Sequence, residues 1–213
     1  ETLKLFSEKY SISTIGNYNE IIHENNVILL RHDVDVSLDY ALRLAKEEKH
    51  YNFLSTFFIL LHSPYYNALS PKNSKIIAKI SDMGHEIGLH YDTTMMPKNK
   101  EKLFLELKNE ANLLSNITGK KIKSVTQHNP TTTKSVVELI PKSLFIDPMS
   151  KEFLKNMLYL SDSVQNWRRG CMCNHITKNK LQILTHPMWW KKKSVNRNQV
   201  YKKFEKELQS EVN

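Results

Sequence analysis

Short apolar runs alternate with helical patterns along most of the chain. The run Val27–Leu30 is uninterrupted, which predicts a buried strand, and apolar residues at helical spacing follow it from Leu38 to Lys49. A second helix is predicted from Pro71 to about Gly84. Further strands are predicted at 53–60, 85–90, 122–126, 144–146, 157–160 and 181–185, and further helices at 100–115 and 197–210. This alternation indicates an α/β protein with a largely parallel sheet.

Several predicted strands are followed directly by side chains that can do chemistry. These side chains are Asp33, Asp35, His90, His128, Asp162 and His186. Barrel and open-sheet α/β folds place their active sites at the carboxyl ends of the strands. The sequence therefore predicts one site at that edge. It contains no internal repeat, low-complexity segment or convincing linker, so a single domain over residues 1–213 is expected.

The composition is that of an ordinary globular protein. A chain of 213 residues can bury one substantial core, and 40% hydrophobic with 25% charged residues is typical. The longest apolar stretch, Phe57–Leu61, is too short to cross a bilayer. The polar N-terminus shows no secretory signal, but the chain begins without Met, so a trimmed leader stays open. Cys171 and Cys173 are too close together to staple a fold, and a reducing, cytoplasmic location is expected.

The formal net charge of +9 raises the question of a nucleic-acid partner. The basic residues are spread along the chain, and the densest group is Lys191–Lys193. No nucleic-acid motif is present, so a solvated basic face is favoured over a nucleic-acid site. The functional alternative is a basic rim that attracts a phosphate-bearing or otherwise anionic substrate.

Asp33 and Asp35 lie two residues apart at the end of a predicted strand, so both point roughly the same way if the strand continues. Two such carboxylates suit a site in which one binds a metal and the other takes a proton from a nucleophilic water. The alternative is a loop-capping Asp beside a solvated one. His90 and His128, with Asp35, make a credible Asp/His/His site for zinc or a similar divalent ion. A lone histidine at either position would more often be structural, and His85 is expected to be so.

Two later segments carry further candidates. Asp162, Trp167 and Arg168 combine a charge, an aromatic wall and a cation, a set that can orient a histidine and line a sugar pocket. A polar surface loop with one core Trp is the equal alternative. His186 can donate a proton to a leaving amine, and Trp189 is a candidate for stacking on a sugar or for core packing. The nearby Cys-x-Cys-x-His sequence lacks the spacing of a metal site and is read as incidental.

The order of these motifs resembles the polysaccharide deacetylase superfamily, carbohydrate esterase family four. Asp33 and Asp35 match its first motif, Thr56–Phe58 its Thr-Phe-Phe strand, Gly84–His90 its Gly-His-Glu-Ile-Gly motif, and Leu184–His186 its Leu-x-His motif. The resemblance implies a distorted (β/α) barrel with fewer than eight regular strands. It implies that Asp33 is the catalytic base, that Asp35 and His90 bind a divalent metal, most often zinc, and that His186 is the general acid oriented by Asp162.

Two departures from the family pattern change the expected site. The second motif usually has another histidine four residues after the first, where this chain has Thr94, and the Arg-containing third motif is missing. We therefore expect His128 to be the third metal ligand. The sequences Arg-His-Asp-Val-Asp, Gly-His-Glu-Ile-Gly-Leu-His-Tyr-Asp and His-Pro-x-Trp-Trp resemble a subgroup found in bacterial surface-polysaccharide gene clusters. Residues of these motifs expected to contact substrate are Arg31, Tyr91, Trp167, Arg168 and Trp189.

The sequence thus predicts a cytoplasmic, divalent-metal-dependent hydrolase that removes acetyl from an N-acetylated sugar in glycan, capsule or O-antigen biosynthesis. The subgroup makes a sugar precursor, including a nucleotide-linked one, a more natural substrate than a finished polymer. One alternative changes the bond to an O-acetyl ester or another C–N amide. The other is a catalytically silent sugar-binding module. Metal identity and oligomeric state stay open, and neither a nucleic-acid partner nor a membrane span is expected.

Overall fold

The structure is a computed structural model that describes residues 2–130, 132–190 and 196–212. The strands are β1 (Ser11–Ser13), β2 (Val27–Val34), β3 (Thr56–Leu60), β4 (Glu86–Tyr91), β5 (Val125–Gln127), β6 (Leu158–Ser161) and β7 (Lys180–Thr185). The α-helices are α1 (Thr2–Ser7), α2 (Tyr18–Ile21), α3 (Leu38–His50), α4 (Pro71–Asp82), α5 (Lys100–Thr118), α6 (Lys151–Asn156) and α7 (Arg197–Val212). Short 3-10 turns connect several of these elements.

All seven strands belong to one parallel sheet with the order β5-β4-β3-β2-β7-β6, and β1 also pairs with β2. β1 pairs with the first half of β2 and β3 with the second half, while β7 runs along the other side. Within the described ranges no ladder joins β5 to β6, so the curled sheet is an open barrel. The expected distorted (β/α) barrel with fewer than eight strands is confirmed.

β2 lies at the centre of the sheet, and all eight of its residues are buried. Buried parallel strands are normally continuous apolar runs, because both faces of the sheet are covered. β2 follows this rule only from Val27 to Leu30. Its next three residues, Arg31, His32 and Asp33, are polar and nearly inaccessible. Burying such groups is costly unless they are paired, so their presence in the central strand needs a partner for each.

The helices begin and end where local chemistry allows. Ser37 accepts a hydrogen bond from the Tyr40 amide at the start of α3, and Asn99 does the same for the Lys102 amide in α5. Gly119 ends α5 with a φ of 67°, a conformation that side-chain-bearing residues seldom adopt.

The helices α3, α4 and α5 bury their apolar faces in one cluster against the sheet. Members of this cluster that are fully inaccessible include Ala41, Ala45, Ile77, Leu107 and Leu114. Each large aliphatic side chain buried in this way stabilises the fold by about 1.5–3 kcal/mol. The cluster therefore holds the strand ends of β2, β3 and β4 in fixed positions.

Most predicted elements are present, and the short helices α1, α2 and α6 were not expected. The segment 144–146 forms no strand, since only Ile146 makes a single bridge to Ser124. β1 was not expected, because a three-residue strand with two serines has no hydrophobic signal. His85 is buried as a structural group, with Nε2 3.0 Å from the Ala45 carbonyl.

Two further expectations concern the membrane and the cysteines. Among the described helices, none is both long and apolar enough to cross a bilayer. Cys171 and Cys173 are paired with each other across a single residue. The pair joins no two elements, as the spacing predicted.

Candidate metal centre and active site

Four strands deliver polar side chains to one cleft at the carboxyl edge of the sheet. β2 supplies Asp33 and leads into Asp35, β4 supplies His90, and β5 and β7 lead into His128 and His186. Because the strands are parallel, their carboxyl ends meet at the same edge. The cleft has a volume of about 340 Å³, within the range of small-molecule sites.

Asp35, His90 and His128 converge on one point. The Oδ1 atom of Asp35 lies 3.3 Å from His90 Nε2 and 3.6 Å from His128 Nδ1, and the two nitrogens are 3.2 Å apart. Zinc–nitrogen bonds of about 2.0–2.1 Å in a tetrahedral site place neighbouring ligand atoms about 3.3–3.4 Å apart. The three atoms therefore form one face of a tetrahedron of the right size for such an ion.

The hydrogen bonds around these atoms also suit a cation. Asp35 Oδ1 is buried and accepts no hydrogen bond within the described part of the chain. His90 Nδ1 lies 3.0 Å from the Thr126 carbonyl and donates to it, which leaves a lone pair on Nε2. A cation would satisfy both groups at once.

His128 reaches the same point from a sharp turn. Its amide donates to the Tyr91 carbonyl at 2.8 Å, which extends the β4–β5 pairing by one bond. Asn129 then turns the chain with a φ of 45° and places its amide group 2.8 Å from His128 Nε2. With the amide oxygen turned to that side, Asn129 would accept a hydrogen bond from the Nε2–H group and leave Nδ1 to a metal.

The carboxylate of Asp35 and the imidazoles of His90 and His128 stabilise one another electrostatically. Burial alone would raise the pKa of Asp35, but His128 and His90 outweigh it and hold that pKa well below its usual range. Burial lowers the pKa of His90, yet Asp33 and Asp35 raise it above its ordinary value overall. A divalent cation replaces the imidazole protons in such a site, so its binding must depend on pH.

Asp33 is held by Arg31, which precedes it by two residues on β2. Arg31 Nη2 donates to both carboxylate oxygens, at 2.8 and 2.7 Å. The guanidinium also lies over the Phe58 ring, 4.9 Å from its centroid. Burial would raise the pKa of Asp33, but Arg31 reverses this and keeps the carboxyl ionised. Its Oδ2 atom is 3.8 Å from His90 Nε2, so this oxygen faces the three ligands.

His186 and Asp162 form a second ion pair on the opposite side of Asp35. His186 Nδ1 lies 2.7 Å from Asp162 Oδ1, and the His186 amide donates to both oxygens of the same carboxylate at 3.1 Å. Trp190 Nε1 donates to Asp162 Oδ2 at 3.0 Å. Burial lowers the pKa of His186, but Asp162 and Asp35 raise it to about 9. The imidazole is therefore protonated at neutral pH, with Nε2 3.8 Å from Asp35 Oδ2.

Comparison with known proteins was informative only at the level of structure. No family model and no curated protein matches this sequence. A variant of the peptidoglycan deacetylase PdaC from Bacillus subtilis is 12% identical, with a TM-score of 0.54 over 90% of this chain and 96% of that one. A wild-type CE4 family pseudoenzyme from Bacillus anthracis is 14% identical, with a TM-score of 0.53 over 86% and 60% of the two chains. The chain has the carbohydrate esterase family four fold.

These similarities carry limits of their own. A mutant of the Bacillus anthracis pseudoenzyme with restored enzymatic activity matches equally well, at 14% identity and a TM-score of 0.52 over 87% and 63% of the two chains. The chain spans about three fifths of those Bacillus anthracis structures. One fold thus accommodates active and inactive proteins, so the activity has to be argued from the site.

Within this family four fold, the position of the expected second histidine carries no ligand. Thr94 is exposed, and its hydroxyl donates to Asp92 Oδ1 at 2.8 Å. His128 occupies the third corner of the Asp/His/His group instead. Asp33 receives a guanidinium from Arg31 on the same strand.

Two residues expected to contact substrate, Arg31 and Tyr91, contact other side chains of the protein. Arg31 lines the cleft, but its guanidinium is engaged by Asp33. Tyr91 is fully buried in the core, with its hydroxyl 3.4 Å from Asp147 Oδ2. Side chains alternate across a strand, so Tyr91 must point away from the cleft that His90 faces.

Two tryptophans expected to contact substrate, Trp167 and Trp189, lie outside the lining of the cleft. Trp167 packs against a buried cluster that includes Phe6 and Leu30. Trp189 lies in a 3-10 turn after Pro187 and contacts the Tyr201 ring of α7, 5.8 Å away between centroids. Neither tryptophan lines the cleft, whereas Arg168 does.

The cleft also contains residues that sequence reasoning missed. They are Thr126, Gln127, Asn129, Pro130, Met149, Tyr159, Ser161, Ser163, Asn166, Arg169 and Leu184. Arg169 had a signal, namely its place beside Arg168 in a polar loop. Several of the others lie on strands, including Gln127 on β5, Tyr159 on β6 and Leu184 on β7, and the sequence did not show which of these side chains face the cleft. The rest lie in loops from separate parts of the sequence.

His32 provides support behind the site. Its Nδ1 lies 2.7 Å from the Thr185 hydroxyl on β7, and its Nε2 lies 2.8 Å from Glu48 Oε1. Both contacts are buried. The contact with Thr185 ties the end of β2 to the residue before His186, and the contact with Glu48 ties it to α3. The two sides of the cleft are thereby fixed relative to each other.

Proposed function

We propose that this protein is a divalent-metal-dependent deacetylase that removes an acetyl group from an N-acetylated sugar or sugar precursor. We place it in bacterial glycan, capsule or O-antigen biosynthesis in the cytoplasm, acting on a small-molecule or glycan substrate with no role for nucleic acid. The observation that carries the proposal is the grouping of three metal-ligand atoms between an ionised carboxylate and a protonated imidazole.

Asp35, His90 and His128 would hold the cation, with zinc as the expected ion. A bound divalent cation supplies a Lewis acid that polarises the acetyl carbonyl and acidifies water. The three-ligand set leaves coordination positions for water and substrate, as catalytic zinc sites do.

The residues of the chain would carry the proton transfers. Asp33 accepts a proton from the attacking water at Oδ2, the oxygen on the side of the three ligands. Because Arg31 keeps the Asp33 carboxylate ionised, the carboxylate can accept that proton, although Arg31 also reduces its basicity.

His186 would complete the reaction on the other side. As the carbon–nitrogen bond breaks, Nε2 donates its proton to the leaving nitrogen, and Asp162 holds the ring through Nδ1. The water oxygen forms the new bond to the acetyl carbon, so the products are acetate and the free amino sugar. An amine is a poor leaving group unless it is protonated, and the raised pKa of His186 therefore favours amide over ester substrates.

The experiment is acetate release from matched N-acetyl and O-acetyl sugars by zinc-loaded protein. We expect release from the N-acetyl sugar, and we expect Asp33→Asn to keep the metal while turnover falls by about 10²–10⁴. Faster release from the O-acetyl sugar would support an esterase instead. Zinc binding without acetate release from any sugar would support a silent binding module.

A further inference from the structure

Two adjacent arginines lie at the cleft. Arg168 and Arg169 belong to the loop between β6 and β7, line the cleft and are both exposed. In the part of the chain that the structure describes, neither side chain forms a salt bridge or a hydrogen bond. Two guanidiniums in this position are available to a ligand.

The loop that carries them is anchored on both sides. Trp167 packs against the buried cluster formed with Phe6 and Leu30. The Arg169 carbonyl lies 2.9 Å from His175 Nε2, and the Gly170 amide donates to the Trp167 carbonyl at 2.9 Å. These contacts fix the backbone from which the two arginines extend to the cleft.

The cleft as a whole also carries an excess of positive charge. Its carboxylates are Asp33, which is neutralised by Arg31, and Asp35, which belongs to the metal group. The charges of Arg168 and Arg169 therefore remain uncompensated there. A divalent cation would add further positive charge. Such a cleft concentrates anions and disfavours cations.

We propose that Arg168 and Arg169 form a subsite for a phosphoryl group carried by the N-acylated sugar. This inference rests on the proposed function and specifies its substrate class. Guanidinium forks match phosphate oxygens through paired, charge-assisted hydrogen bonds. Both arginines share a cleft of about 340 Å³ with the metal ligands, so the phosphoryl group must lie on the same sugar or be linked directly to it. A sugar 1-phosphate and a nucleotide diphosphate sugar both present this chemistry.

Binding separates the subsite from the reaction. The test is calorimetric titration of zinc-loaded Asp33→Asn protein with N-acetylglucosamine and with N-acetylglucosamine 1-phosphate. Charge-assisted hydrogen bonds are stronger than neutral ones, so the phosphorylated sugar should bind about ten- to a hundredfold more tightly than the neutral one. Adding Arg168→Gln and Arg169→Gln should abolish that preference. Arg43→Gln, which removes an exposed arginine of α3 outside the cleft, is the matched control.

Each outcome decides one of the two proposals. Equal affinity for the two sugars, or a preference that survives loss of both arginines, overturns the phosphoryl subsite. Acetate release by wild type from the neutral sugar would then still support the deacetylase. A phosphoryl preference lost in the double variant supports the subsite even if no acetate is released, an outcome that counts against the deacetylase alone. Uridine diphosphate N-acetylglucosamine as a third ligand shows which phosphoryl source binds better.

Discussion

The guanidinium of Arg31 binds the carboxylate of Asp33 two residues later on the same strand, with Nη2 2.7 and 2.8 Å from its two oxygens. Residues two apart on a strand point to the same face, so one stretch of β2 supplies both the proposed base and its cation. Both side chains are almost inaccessible to water. We therefore expect the pair to serve both catalysis and stability, so that loss of either partner destabilises the fold.

Removing one partner of this pair should destabilise the fold. Arg31→Met leaves the Asp33 charge buried without a cation, and we expect a loss of about 3–5 kcal/mol in the free energy of unfolding. Arg31→Met combined with Asp33→Asn should recover part of that loss, because no uncompensated charge remains. Urea unfolding measures both values. Arg43→Met, at an exposed site, should change stability by less than about 0.5 kcal/mol. Additive losses in the double variant would contradict the coupling.

The metal group gives a second prediction, which distinguishes His128 from Thr94. His128→Ala removes one corner of the Asp/His/His group, so zinc affinity should fall at least tenfold. Thr94→Ala should leave affinity unchanged, since Thr94 is exposed and its amide and hydroxyl both donate to Asp92 Oδ1. Elemental analysis after dialysis and a competitive chelator titration measure the effect. Undiminished affinity in His128→Ala would overturn the assignment of the third ligand.

Zinc should also stabilise the folded protein. A ligand present at about 100 times its Kd adds about 2.7 kcal/mol to the free energy of unfolding if it binds only the folded state. We therefore expect a higher Tm with zinc than with a chelator, and a much smaller difference in His128→Ala. An equal Tm with and without zinc in wild type would count against the metal centre.

Sequence patterns were sufficient for the fold and for the residues that chemistry marks strongly. The alternation of strands and helices predicted the parallel sheet, and the family resemblance predicted the barrel. The strand ends indicated Asp35, His90 and His128, which the structure brings together. Side-chain direction and loop paths were not accessible in the same way. Tyr91 was placed at the substrate although strand alternation turns it into the core. Trp167 was placed there although its loop folds back onto a buried cluster.

The Asp162–His186 pair predicts a defined effect on pH dependence. Asp162 contributes to raising the pKa of His186 to about 9, so Asp162→Asn should lower that pKa. The proposed acid would then lose its proton at lower pH, and the alkaline limb of the profile of kcat against pH should move to lower pH. At neutral pH we expect a loss of about 10²–10⁴ in kcat. Trp190→Phe removes one hydrogen bond to Asp162 but keeps the carboxylate beside His186, so the alkaline limb should not move to lower pH. An unmoved alkaline limb in Asp162→Asn would contradict the assignment.

Asp147, buried beneath the sheet edge and away from the proposed reaction, gives a prediction on stability alone. Burial raises its pKa from 3.8 to about 7, so the folded state holds a proton that the unfolded state releases at lower pH. Its contribution to stability is complete below about pH 4 and is lost as the pH rises to about 7. Asp147→Asn can keep the hydrogen bond from the Met149 amide but cannot ionise. The variant should therefore become more stable relative to wild type as the pH rises. From pH 5 to pH 8, the difference between their free energies of unfolding should change by about 2–3 kcal/mol in favour of the variant. Urea unfolding at the two pH values measures the difference, and a pH-independent difference would show that Asp147 does not titrate in this way.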